Sequence, residues 1–237
     1  MRKILITNDD GIGADGIIRL AAAATDFGEV WVVAPESQRS AASHSVSLRN
    51  PIDVWPVSFE VPGVRAYACS GTPADCVRVG ALNVVTGGPD VLLSGINDGF
   101  NMASDLQYSA TVGAALEGAF QKLHSIAFSE AVREEKSVTD ANIKDILAEL
   151  IDKPLGKNCI WNVNFPDCSR EECRGILRDR KVSDDDFYHD HYNEVKNENG
   201  RISYMVEGVR SWDAKDGTDL RAVLDNYISI GIVNNLN

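Results

Sequence analysis

Short runs of aliphatic and β-branched residues alternate with amphipathic or Ala-rich stretches through the first two thirds of the chain. Residues 3–7, 29–34, 90–94 and 125–129 have the length and composition of buried strands, bounded by polar or turn-forming residues. Between them, residues 15–27, 73–85 and 111–122 read as helices. Pro73 falls in the first turn of the second of these, where its missing N–H and fixed φ favour the helix. Residues 53–57 and 64–70 look like a short strand pair, and 36–50 form a polar, Ser-rich segment. Strands alternating with helices in this way predict a parallel sheet with helices on both faces.

The pattern changes after a helix expected over 138–152 and a strand over 159–163. From about residue 173 to 217 the chain is charged and turn-rich, with Asp184-Asp185-Asp186 and Asn197-Glu198-Asn199-Gly200. Asn199-Gly200 is a type I′ hairpin signal, because both central residues of that turn need positive φ. A short helix over 218–224 and a last strand over 227–233 complete the reading. One α/β domain over 1–237 is expected, with its core at about 1–166, a hairpin region at about 173–217 and a closing helix and strand at 218–233.

Composition narrows the classes. With 237 residues and 44% hydrophobic positions, the chain can bury a sizeable core, and no segment reaches about 18 unbroken apolar residues. The start runs from Met1-Arg2-Lys3 straight into the first strand, with no hydrophobic region of signal-peptide length. A soluble, cytoplasmic protein without membrane partners is expected. The net charge of -12 argues against a duplex nucleic-acid partner, which needs Lys and Arg to displace counterions. The five cysteines form no Cys-x-x-Cys pair and read as reduced, mostly structural thiols.

The chemistry concentrates at strand ends. Asn8-Asp9-Asp10-Gly11 follows the first strand directly, and in open parallel sheets the carboxyl ends of strands line the ligand crevice. Two adjacent carboxylates there repel each other, and repel phosphate, unless a cation sits between them. Ser94-Gly95-Ile96-Asn97-Asp98-Gly99-Phe100-Asn101 follows a later strand, and the segment with Arg39, Ser40, Ser43, His44, Ser45 and Ser47 leaves the same edge. Carboxylate, hydroxyl and amide oxygens converging there suit Mg²⁺ or Mn²⁺ better than zinc. Ser109-Ala110-Thr111 opens a helix and offers hydroxyls and free N–H groups to an anion, or simply a cap. His44 lies among these residues and is a candidate substrate contact, whereas His124 reads as packing and His189 and His191 as surface.

Gly11-Ile12-Gly13-Ala14-Asp15-Gly16 also matches the dinucleotide fingerprint, with Glu36 about 20 residues further on. Electrostatics oppose a pyrophosphate at that helix start. One like-charge contact near 4 Å costs about 4 kcal/mol at an effective dielectric of about 20. The helix dipole returns only about 0.3–1 kcal/mol. A non-catalytic nucleotide or dinucleotide-binding domain is the rival reading. A second rival, an aspartyl-phosphate enzyme with Asp9 as nucleophile, expects Asp-x-Asp where this chain has adjacent acids.

Together, Ile6-Thr7-Asn8-Asp9-Asp10-Gly11, Val33-Ala34-Pro35 with Arg39-Ser40, Gly71-Thr72-Pro73-Ala74-Asp75-Cys76, Ser94-Gly95-Ile96-Asn97 with Gly99 and Asn101, Asn162-Val163-Asn164-Phe165-Pro166 and Tyr227-Ile228-Ser229-Ile230 resemble the SurE family, the survival-protein E nucleotidases. The resemblance spans nearly the whole chain and rests on the order and spacing of the segments. It implies a three-layer, Rossmann-like, mostly parallel α/β fold, a C-terminal extended hairpin, and homodimers or homotetramers. It implies a metal-dependent phosphomonoesterase acting on nucleoside 5′-monophosphates, with 3′-monophosphates and polyphosphate as further substrates. By resemblance, Asp9, Asp10, Ser40 and Asn97 hold one divalent cation per subunit, Mg²⁺ or Mn²⁺, with Asp9 and Asp10 catalytic. Asn101, Ser109 and Thr111 then lie near the phosphate. Ala110 departs from the family's Ser-Gly-Thr, Arg178-Asp179-Arg180 from its Arg-Gln-Gly-type stretch, and the tail after Gly231-Ile232-Val233 from its Thr-Pro.

Overall fold

A computed structural model describes residues 1–235. Nine strands form one sheet: β1 (Lys3–Thr7), β2 (Glu29–Pro35), β3 (Val54–Val57), β4 (Arg65–Cys69), β5 (Val91–Asp98), β6 (His124–Glu130), β7 (Cys159–Phe165), β8 (Ile176–Arg180) and β11 (Ile228–Asn234). Their order is β3-β4-β2-β1-β5-β6-β7-β11-β8. The run from β4 to β7 is parallel, while β3 and β11 pair antiparallel with β4 and β7. The sheet is therefore mostly parallel, as the strand–helix alternation predicts.

Alternate residues of each strand face opposite layers. Ile4 and Ile6 of β1 pack with Ile17 and Leu20 of α1 (Asp15–Ala24). The same cluster takes Ile143, Ile146 and Leu147 of α4 (Ser137–Leu150). Leu5 points the other way, to Cys76 and Val77 of α2 (Pro73–Val79) and Ala114 of α3 (Ala110–Phe120). These are the three layers. α5 (Asp219–Leu224) packs through Leu220 and Val223 with Met102 and Phe187.

Two strands stand apart. β9 (Tyr188–Glu198) and β10 (Arg201–Arg210) pair antiparallel as a separate hairpin. Its turn residues Asn199 and Gly200 both have positive φ, 53° and 80°, as a type I′ turn requires.

Several boundaries differ from the sequence reading. The helix expected over 73–85 is α2 followed by a π-helical turn, Gly80–Val84. The strand expected over 90–94 runs on to Asp98, because Asn97 and Asp98 rejoin the ladder opposite Ser129 and Glu130 after a register shift. β8 lay hidden in a charged segment, since an edge strand with exposed Arg178 and Asp179 has no apolar run to mark it.

Candidate active site

β1 and β5 are adjacent parallel strands, with Thr7 opposite Ser94, so the loops after them leave the same edge. Asp9 is buried there. Its Oδ1 accepts a short hydrogen bond from the Thr111 hydroxyl in the first turn of α3. Its backbone carbonyl accepts from the Arg39 N–H at 2.7 Å, which ties the Ser40 segment to the same corner. Gly11, at φ 101°, lets the chain turn directly after the two acids, and the Asn8 side chain clips that turn by donating to the Gly11 carbonyl at 2.8 Å.

Burial pushes the Asp9 carboxyl up to about 6, opposed by the Thr111 bond and reinforced by the Asp10 charge. Asp10 is raised in the same direction, by burial first. Its Oδ2 accepts from the Asp98 N–H at 3.2 Å and its Oδ1 lies 3.5 Å from the Gln38 amide nitrogen. Lys136 stands behind, 2.7 Å from Asp98 and 3.2 Å from the buried Glu130, which also pairs with Arg19.

Asp9, Ser40, Asn97, Asn101 and Ser109 line one cavity of about 380 Å³. Asp10 faces a neighbouring cavity of about 300 Å³, lined by Gln38, Asp98, Glu130, Arg133 and Lys136. Asn97 donates its side-chain N–H to the Gly99 carbonyl at 2.7 Å, which commits the nitrogen and leaves the amide oxygen as its free coordinating atom. Ser109 caps α3, accepting from the Val112 N–H at 3.0 Å. Ala110 sits in ordinary helical backbone, so that position does not need glycine's conformational freedom.

The three residues expected near a phosphate do not all line the cavity. Thr111 is fully buried, supports Asp9, and does not line the space. Asn101 is fixed from three sides: its N–H donates to the Asn164 side chain at 2.9 Å, and its carbonyl accepts from Asn162 and Asn164. Its side-chain nitrogen donates to Ser129 at 2.7 Å. Asn162 and Asn164 thus hold the β5–α3 segment against β7, a role visible in sequence only as a polar strand end. His44 donates its Nε2–H to the Glu117 carboxylate at 2.9 Å and stacks on Phe120, so its ring is held by α3. His124 bonds the Leu150 carbonyl and is structural, as expected.

The glycine fingerprint has a packing purpose. A Cβ on Gly16 would lie 2.0 Å from the Ile96 carbonyl oxygen, so the residue lets α1 approach β5 closely. Sequence reading missed Gln38, Lys136 and Glu130 beside Asp10. A buried charge at a strand end, Glu130 after Ser125–Ser129, was the available signal.

A mostly parallel α/β sheet with carboxylate, hydroxyl and amide oxygens gathered at its carboxyl edge defines the class as a doubly wound protein with a polar cleft where such folds bind ligands. The particular family follows from comparison with known proteins. The family described as survival protein SurE matches residues 4–184, and the chain belongs to it. The protein named 5′-nucleotidase SurE of Clostridium botulinum (strain 657 / Type Ba4) is 39% identical over 232 residues, covering 96% of this chain and 91% of that one. The protein of that name from Mesorhizobium japonicum is 36% identical over 238 residues, with the same coverage. The crystal structure of the SurE protein from Aquifex aeolicus superposes with a TM-score of 0.83 at 32% identity, covering 99% of this chain and 94% of that one.

Proposed function

We propose that the chain is a 5′-nucleotidase: a divalent-cation-dependent phosphomonoesterase that converts nucleoside 5′-monophosphates to nucleoside and phosphate. The observation that carries it is the buried Asp9 carboxylate at the carboxyl end of β1, facing a cavity shared with Ser40 and Asn97. A buried carboxylate calls for a cation or hydrogen-bond donors, and the side chains of Ser40 and Asn97 on the same cavity offer oxygens. That set fits Mg²⁺ or Mn²⁺. Among the described residues no group of three or more His, Cys, Asp or Glu side chains stands together as a metal site.

Asp9, Asp10, Ser40 and Asn97 would hold the cation. When bound, it polarises a phosphoryl oxygen and acidifies water for attack on phosphorus. The chain's own residues orient the partners. Thr111 fixes the rotamer of Asp9, Gly99 fixes Asn97, and Asp98 with Gln38 fixes Asp10. One of the two aspartates takes the proton of the attacking water. Ser109 and the first-turn amides of α3 face the phosphate, since helix starts offer unpaired N–H groups to anions. Asn101 completes that wall.

In the same reading, residues 1–237 form one domain, located in the cytoplasm; no described helix is long and apolar enough to cross a membrane. The β9–β10 hairpin supports a homodimer or homotetramer, because Tyr192, Val195, Tyr204, Met205 and Val209 stand exposed on it. The non-catalytic rival is disfavoured by the curated names of the relatives and by Asp9 and Asp10 ahead of the glycine loop. Phosphate release from a panel of nucleoside monophosphates, with EDTA, Mg²⁺ or Mn²⁺, tests the activity. Turnover that needs the cation is expected, and none with either cation would overturn the reading.

A further inference from the structure

Asp9, Asp10 and Asn97 each have a side chain held by a hydrogen bond. Ser40 is different. It is exposed, on a segment between β2 and β3 that contains neither helix nor strand, so its place depends on how that segment is held. On one side the Arg39 N–H is bound to the Asp9 carbonyl. On the other, the backbone is held against its own preference: Ala41 and Ser43 have φ of 56° and 54°, left-handed values that a Cβ disfavours. Such conformations persist only where the surroundings impose them.

Here the surroundings are α3 and the residues just before it. The Ser43 N–H donates to the Tyr108 carbonyl at 3.0 Å, and the Ser43 hydroxyl donates to the Gln107 carbonyl. A Cβ on Gly113 would lie 2.5 Å from the Ser43 carbonyl oxygen, so glycine lets the segment rest directly on the helix. The next residue, His44, donates to Glu117 and stacks on Phe120. Glu117 is the only charged residue of α3 and is 4% exposed. A carboxylate is almost never buried so fully without partners. Burial alone would raise its pKa, but the bonds from His44 and Gln121 and the charge of Arg78 hold it below the ordinary value, so it accepts as an anion. Gly113 and Glu117 are four positions apart and share one face of the helix. That face carries both the space for the segment and the charge that grips it.

We propose that His44 and Glu117 are positioning residues: with Gly113 they clamp the Ser40 segment onto α3 and so set the Ser40 hydroxyl at the cation. The inference rests on the reading of Asp9, Asp10, Ser40 and Asn97 as the ligands of that cation, and it names what holds the one ligand carried by an irregular segment. His44 does not line the Asp9 cavity, so its neighbours in sequence, which suggest a substrate contact, give way to a supporting role.

The test is calorimetric titration of Mn²⁺ at one fixed pH, with thermal unfolding midpoints measured alongside. Glu117→Ala should weaken Mn²⁺ binding about tenfold, the low end of the roughly 10–100-fold cost of losing a group that orients a metal ligand. Glu117→Gln keeps an oxygen that accepts from His44 and should recover most of the affinity. Gly113→Ala should weaken binding in the same direction, even though alanine favours the helix itself. Ser40→Ala should weaken binding on its own, and adding Glu117→Ala to it should have little further effect, because residues acting through one another are not additive. His44→Ala, which removes the same bond from its half-buried side, stands in if Glu117→Ala does not fold. An affinity unchanged by Glu117→Ala, whatever the midpoint does, would overturn the proposal, and so would an equal loss with and without the Ser40 hydroxyl. A wild type that binds no Mn²⁺ would instead sink the cation reading, and this inference with it.

Discussion

Along β5 and the first turn of α3, polar side chains are buried and their donors engaged: Thr111 on Asp9, Asn97 on Gly99, Asn101 on Ser129. Along β9, which reaches the same cavity at its base, and along its partner β10, almost every side chain faces solvent. The contrast separates two uses of polarity. Buried polar groups at the sheet edge cost desolvation unless each finds a partner, so their geometry is narrowly specified. Exposed groups on the hairpin carry no such constraint, and what fixes the hairpin is its turn, its ladder and the Phe187 anchor. A substitution should therefore act on chemistry at the first region and on assembly at the second.

The largest effect expected is on turnover. Asp9→Asn keeps the shape but removes the charge, and should lower kcat/KM for nucleoside monophosphates by about 10³-fold or more, as loss of electrostatic stabilisation typically does. Circular dichroism should show the fold retained. Next comes Thr111→Val, which leaves Asp9 in place without its hydroxyl partner. Mn²⁺ affinity, measured calorimetrically, should weaken about 10–100-fold, the usual cost of losing a group that orients a metal ligand. An unchanged affinity would mean that the Thr111–Asp9 bond serves the fold only.

Stability is the next scale. In Gly16→Ala the new methyl would meet the Ile96 carbonyl, and chemical denaturation should register a loss of about 1–3 kcal/mol or more as α1 is pushed off β5. On the hairpin, Ile202→Thr and Val195→Thr should change monomer stability by less than about 0.5 kcal/mol, as is usual for surface positions. Any larger consequence should appear as a shift in oligomer mass by light scattering. If these exposed changes unfold the chain, the two regions are not distinct in the way argued here.

The smallest effect concerns pH. His124 is half-buried against the Leu150 carbonyl, and desolvation lowers its pKa from the ordinary 6.5. The unfolded chain then binds this proton first. The contribution of neutral His124 is fully present above about pH 6.5 and is lost as the pH falls toward the folded value. Denaturation midpoints of His124→Gln should show a shallower pH dependence than the wild type between pH 5 and pH 7, values bracketing the ordinary range of histidine.

Much of this was legible in the residues. The central strands and the helices after them were marked by aliphatic runs and by Pro73 in the first turn of α2, while the Thr72–Asp75 capping box there emerged only in the fold. Asn199-Gly200 specified the hairpin turn. Asp9 and Asp10 were marked by position, because only a strand's carboxyl end makes adjacent acids informative. The residues that orient them were not legible. Lys136 and Glu130 reach Asp10 through Asp98 from elements over a hundred positions away, and no local pattern encodes that approach. Thr111, which the family resemblance puts near the phosphate, also turns its hydroxyl inward to Asp9, a pairing that no local pattern marks. That Tyr188 and Asp190 line the Asp9 cavity was equally hidden, since they lie in a stretch whose composition reads as a solvated loop.

The central claim is that the oxygen donors at the carboxyl edge hold one divalent cation. Isothermal titration of Mn²⁺ into the wild type and into Asp9→Asn tests it without reference to turnover. One cation per chain in the wild type, with binding lost or severely weakened in the variant, is the predicted result. Binding that is absent from the wild type, or equal in the two proteins, would contradict the account.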